Sequence, residues 1–137
     1  MVLGFCETNK KTGELTNFRE QILSGNKRHS IRAGKRWKEG MPIQMATGVR
    51  TKNFKLFNED IDMLSFCKSV QDLKIDIDTS GSGVHYNILI DKRPLSASEA
   101  KTLAVNDGFK SLYDFLMWFK DEAPFDGQII HWTSLRY

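Results

Sequence analysis

Cysteine is scarce in this chain of 137 residues, with only Cys6 and Cys67 present, and no apolar run approaches the length that crosses a bilayer. The two cysteines lie far apart and match no ligand or redox spacing. A disulfide scaffold and a zinc finger are thereby excluded. Two free thiols are expected, with a single Cys6–Cys67 bridge left open. The opening MVLGFCETNKK has too short an apolar run for a secretory leader, and its charges follow that run instead of preceding it. A cytoplasmic, non-membrane protein is the expectation. There is no repeat, no low-complexity tract and no linker, so residues 1–137 read as one domain, long enough to bury a core without metal or disulfide. His29, His85 and His131 have no metal-ligand spacing, and there is no phosphate-binding glycine loop and no dinucleotide fingerprint. No cofactor is expected.

What the chain does have is a concentrated block of positive charge. Residues 27–38, KRHSIRAGKRWK, hold six of the twenty Lys and Arg and no acid. The whole chain carries +3, so everything outside that block sums to a negative charge. Localised positive charge in a glycine-punctuated segment suits an anionic partner, a nucleotide or RNA above all; the plain alternative is a solvated basic loop.

Periodicity suggests the order helix, several short strands, two short helices, strand. Asn17 with Glu20 resembles a capping box before Phe18, Ile22 and Leu23, and Ser24-Gly25-Asn26 is a natural stop. Strands are expected over His29–Arg32, Pro42–Thr47, Asn53–Phe57, Leu64–Val70, Leu73–Ile77, Val84–Ile90 and Gln128–Thr133. Residues 79–83, TSGSG, read as a loop. Ser96 with Glu99 opens a second helix to about Val105. Ser111 with Asp114 opens a third, with Leu112, Phe115, Leu116 and Phe119 as its apolar stripe. The fold class is α+β: a small mixed, largely antiparallel sheet or barrel with about three flanking helices.

The stretch Ile22-Leu23-Ser24-Gly25-Asn26-Lys27-Arg28-His29-Ser30-Ile31-Arg32 resembles the signature of ASCH domains, in the PUA-like superfamily: a Gly, a Lys two residues on, and an Arg five beyond the Lys. Gly25, Lys27 and Arg32 fit it. Asn106-Asp107-Gly108-Phe109 with the helix after it, and the closing Gly127–Trp132 strand, resemble the back half of such a domain, so the likeness covers roughly residues 18–133. It implies a PUA-like β-barrel whose signature lines a cleft, and RNA- or nucleotide-related work. It also points to a subset resembling acetylcytidine amidohydrolases, in which the signature Lys works with a hydroxyl residue three positions later and an acid near the second helical region. Carried over, these are Lys27, Ser30 and Asp107. The subset has Thr where Ser30 stands and Glu where Asp107 stands.

Each residue has a plainer reading beside the functional one. Lys27 is either a perturbed lysine or a solvated phosphate contact. Ser30 is either a nucleophile or a strand serine bonded to backbone. It can meet Lys27 only if Lys27 precedes the strand, because residues three apart on a strand face opposite ways. Arg32 suits a phosphate or carboxylate, or an ion pair with an acid of the chain. Asp107 sits in a turn-type Asn-Asp-Gly run and is otherwise a proton carrier or a partner of Lys27. Gly25 is a helix cap or a point of close ligand approach. Trp37 either stacks a base or covers a core edge. A nucleic-acid-binding set of Lys27, Arg28, Arg32, Lys35, Arg36, Trp37 and Lys38 follows, with Arg50, Lys52 and Lys55 extending the basic surface or standing as solvated hairpin charges. RNA or nucleotide binding is the first reading and nucleoside amide hydrolysis the second. A ribonuclease using His29 with Lys27, and a protein-interaction domain, are further alternatives.

Overall fold

A computed structural model describes residues 1–137. In chain order the elements are β1 (Val2–Phe5), α1 (Phe18–Ser24), β2 (His29–Ala33), β3 (Gln44–Thr47), β4 (Lys55–Leu56), β5 (Ser69–Asp78), β6 (His85–Ile90), β7 (Arg93–Pro94), α2 (Ala97–Asn106), α3 (Leu112–Phe119) and β8 (Phe125–His131). The strands form two sheets, β1-β3-β4 and β2-β8-β5-β6-β7, with no hydrogen-bonded ring closing them into one barrel. All pairings are antiparallel except β1 with β3. The α+β class and the three helices stand as expected.

The five-stranded sheet separates two cores, because β8 and the start of β2 are buried on both faces, whereas β5 and β6 alternate apolar with exposed polar residues. Ile31, Leu73, Ile75 and Ile129 pack with Leu103, Phe115 and Phe119 of the α2–α3 layer. On the other side Ile130 and Trp132 join Leu3, Phe5, Met45, Phe18 and Ile22 from the small sheet and α1. Period-two alternation in β2 and β8 sends successive side chains to these two cores.

Several local expectations need correction. Asn17 does not cap α1: its φ of 56° is left-handed and its side chain makes no capping bond. Gly25 does end that helix, at φ 87°. Ser96 and Glu99 form both bonds of the capping box on α2, and Ser111 accepts from the Asp114 N–H on α3. No strand runs over Leu64–Val70. Asp62–Leu64 is a short 3-10 turn, closed in part by Ser65 Oγ on the Ile61 carbonyl, and β5 begins only at Ser69. β1, only four residues long, carries no strand pattern in the sequence and is an addition to the expected elements. Cys67 is buried and Cys6 exposed, both as free thiols. No helix is long and apolar enough to cross a membrane.

Candidate functional site

Lys27 lies in the turn between α1 and β2, two residues ahead of the strand. Its backbone N–H is tied to the Gln21 carbonyl, and the next N–H, of Arg28, to the Asn106 carbonyl at the end of α2. These two bonds draw the turn against the α2 C-terminus, where Asp107 closes the helix. The Lys27 side chain is 3% exposed and its Nζ lies 2.9 Å from Asp107 Oδ1. It also donates to the Asp107 carbonyl, and it sits 4.7 Å from the centre of the Phe18 ring. Aromatic faces and a carboxylate thus surround one ammonium.

Asp107 Oδ1 accepts a second contact, from His29 Nδ1 at 3.2 Å. Burial alone pushes the Asp107 carboxyl up, but Lys27 and His29 outweigh it and hold it below the usual carboxylate range. Burial pulls Lys27 below the usual lysine range against the opposing pull of Asp107, and Arg32 adds to the lowering. His29 is likewise lowered by burial, and is neutral at pH 7.

Ser30 and Arg32 share a face of β2. Arg32 Nε donates to Ser30 Oγ at 3.1 Å and its Nη2 to the Gly4 carbonyl at 2.6 Å, with the guanidinium 5.2 Å from the Phe5 ring centre. No carboxylate pairs with Arg32, so the ion-pair alternative for this residue falls away. Lys27, Ser30, Arg32 and Asp107 all line one half-open cavity of about 70 Å³. Its walls are Phe5, Phe18, Phe109 and Trp118, with Cys6 and Gly4 beside them. Lys27 meets the condition for convergence with Ser30 because it precedes the strand. The space takes a few water-sized groups, the polar end of a ligand rather than a whole nucleoside. Lys27 and Arg32 against Asp107 leave it with a surplus positive charge.

The rest of the basic block disperses. Lys35 bridges Asp72 and Asp126 at 3.1 Å each and faces a different surface hollow. Arg28, Arg36 and Lys38 are exposed and outside the cavity, as are Arg50, Lys52 and Lys55. Trp37 is 3% exposed in the core, its peptide group clamped by the Gln128 side chain, so it offers no face to a base. The reason is local: Gly34 turns the chain at φ 81° after β2 and the backbone then docks on β8. Nothing lies close to Gly25 where a side chain would project, so its role is the helix cap alone.

Sequence reasoning missed the aromatic walls, Gly108 and Tyr137. Gly108 has φ 94°, and a Cβ there would come within 3.2 Å of Lys27 Cδ and 3.1 Å of Phe18 Cδ1. A glycine beside Asp107 was the visible hint of that close approach. Tyr137 hydroxyl lies 2.6 Å from His29 Nε2, a contact across 108 residues that no local pattern encodes.

Comparison with protein-family models, curated proteins and solved structures finds no match to this chain.

Proposed function

We propose that the chain is an ASCH-like, PUA-like domain that recognises a nucleotide or RNA by taking the polar edge of one nucleoside into the Lys27–Ser30–Arg32–Asp107 cavity. The observation that carries this reading is the cavity itself: three donor side chains and a carboxylate collected between aromatic walls. Donors and carboxylate suit the mixed acceptor and donor edge of a base, and rings suit its faces. On this reading the two sheets correspond to the halves of the family's barrel.

The dispersal of the basic block sets a quantitative expectation. Six phosphate contacts on a single strand would give a slope of log affinity against log salt near −4, whereas a base edge held by Lys27 and Arg32 with no phosphate neutralised gives a shallow slope, about −1 or less in size. Titrating a short RNA and cytidine monophosphate at several salt concentrations, read by Trp fluorescence, measures that slope. A slope near −4 would contradict the cavity reading and restore a basic groove. No binding of either ligand by folded protein ends the nucleotide assignment.

One observation favours a second reading, hydrolysis of a nucleoside amide such as acetylcytidine. Lys27, Ser30 and Asp107 share the cavity, and Arg32 Nε occupies an acceptor position of Ser30 Oγ, leaving its proton free to depart. In this scheme Ser30 attacks the acyl carbon, Lys27 supports the charge developing on the oxygen, and Asp107 carries the Ser30 proton to the leaving amine. A water then hydrolyses the acetyl ester to free Ser30 and acetate; alternatively a water attacks directly and passes its proton through Asp107 to the amine. Release of cytidine and acetate, abolished in Ser30→Ala, is the expected result. Equal rates in Ser30→Ala and the parent chain rule out Ser30 as nucleophile.

A further inference from the structure

Behind the cavity wall runs a chain of buried polar contacts that the proposed function does not use. Asp107 Oδ1 takes Lys27 Nζ from the cavity side and His29 Nδ1 from behind. His29, fully buried, presents its other nitrogen to Tyr137 Oη at 2.6 Å. Tyr137 Oη in turn accepts from Asn106 Nδ2 at 3.1 Å. Tyr137 is itself fastened by Gln71, whose Oε1 accepts from the Tyr137 N–H at 2.8 Å and whose Nε2 donates to its carbonyl.

Donor and acceptor rules order this chain in one direction. A carboxylate oxygen only accepts, so the proton on His29 must be on Nδ1. Nε2 is then an acceptor and Tyr137 must donate to it. The Tyr137 oxygen keeps a lone pair, which the Asn106 amide fills. Every member has its partner, and each fixes the next. A neutral solvated imidazole has no such bias toward Nδ1–H; the tautomer here is set by its two neighbours.

We infer that His29 and Tyr137 are positioning residues, which lock the carboxylate of Asp107 in the orientation that holds Lys27 at the cavity wall. The inference rests on the cavity being the working site. The charged and titratable groups facing Lys27 are Asp107 from the end of α2 and Arg32 and His29 from β2, with Arg28 acting on His29 from the turn. Tyr137 hydroxyl touches none of the groups that line the cavity and reaches Lys27 only through His29 and Asp107. Carboxylate–imidazole pairs of this kind elsewhere set ring tautomer and ligand orientation through a partner that never meets substrate.

The test is nitrogen-15 NMR of the histidine-labelled chain, parent against Tyr137→Phe, which deletes one oxygen and keeps the ring. In the parent, His29 is expected as the Nδ1–H tautomer at pH 7. In Tyr137→Phe the His29 Nε2 resonance moves as its hydrogen bond is lost, the Lys27 ε-methylene resonance moves, and affinity for cytidine monophosphate drops about tenfold. Asn106→Ala, which removes only the amide behind Tyr137, gives a smaller shift of the same sign. Unchanged His29 and Lys27 signals in both variants overturn the inference. A parent chain that shows the Nδ1–H tautomer and the variant shifts but binds no nucleotide overturns the functional reading and leaves the positioning role in place.

Discussion

Removing the Lys27 ammonium leaves Asp107 as a buried carboxylate held only by His29. Breaking one side of a buried ion pair costs about 3–5 kcal/mol, because the remaining charge keeps its desolvation penalty. Lys27→Met is therefore expected to lower unfolding free energy by that amount in a denaturant titration, at unchanged m-value. Lys27→Met with Asp107→Asn recovers a large part of the loss and still binds no ligand. A single variant as stable as the parent would show that the pair is not buried in solution. For the same reason Ser30→Ala is the cleaner probe of chemistry, since Lys27 serves fold and site together. In the sequence, Lys27 and Arg32 stand out within the basic 27–38 block, and the structure brings both to one cavity. The depth of Asp107 does not stand out, because Asn-Asp-Gly has the composition of an exposed turn and it is the docking of the Lys27–His29 segment against the α2 C-terminus that closes over it. Trp37 misled for the converse reason: flanking Arg36 and Lys38 suggest surface, while its own indole goes inward.

At the scale of elements, the site depends on where α2 stops. Asp107 is the residue after the helix, its N–H bonded to the Leu103 carbonyl, and Gly108 follows at a φ that L side chains rarely adopt. Gly108→Ala is expected to cost more than about 1 kcal/mol from backbone strain. It also presses a methyl on Phe18 and on the Lys27 stem, so nucleotide affinity falls further than stability does. Calorimetry and binding on the one variant separate these effects; full affinity in the variant would mean that the Lys27 stem moves freely. The helices were legible because their caps and stripes are local chemistry, as the Ser96–Glu99 box illustrates. The edge strands β1 and β7 were not, and β4 is legible only as part of a longer expected strand over Asn53–Phe57. Two residues of β4 and four of β1 owe their conformation to pairing with β3, and pairing partners are invisible in a local pattern.

At the scale of the molecule, acid is the expected weak point. Burial lowers His131 to about 3, and leaves its Nδ1 without a partner between Gln71 and the His29 ring. The unfolded chain binds that proton near pH 6.5 and the folded chain resists it. Stability is thus fully present above 6.5 and is lost as pH falls toward 3, by about 1.4 kcal/mol per pH unit for this one group. His29, lowered in the same direction, adds to the slope. Urea titrations at pH 7, 6 and 5 measure it, and His131→Gln flattens part of the dependence. A level profile across that range would place both rings in contact with solvent.

The cavity is assembled from Gly4–Cys6, Phe18, the 27–32 segment, the 107–109 turn and Trp118, segments spread over most of the chain. No fragment of the protein owns enough of it to hold anything. Only the completely folded chain can therefore be occupied, and whatever fits the space raises the melting temperature with the logarithm of its concentration. A library of modified nucleosides screened by heat alone, with no assumed chemistry and no labelled probe, can name the compound this chain was built around.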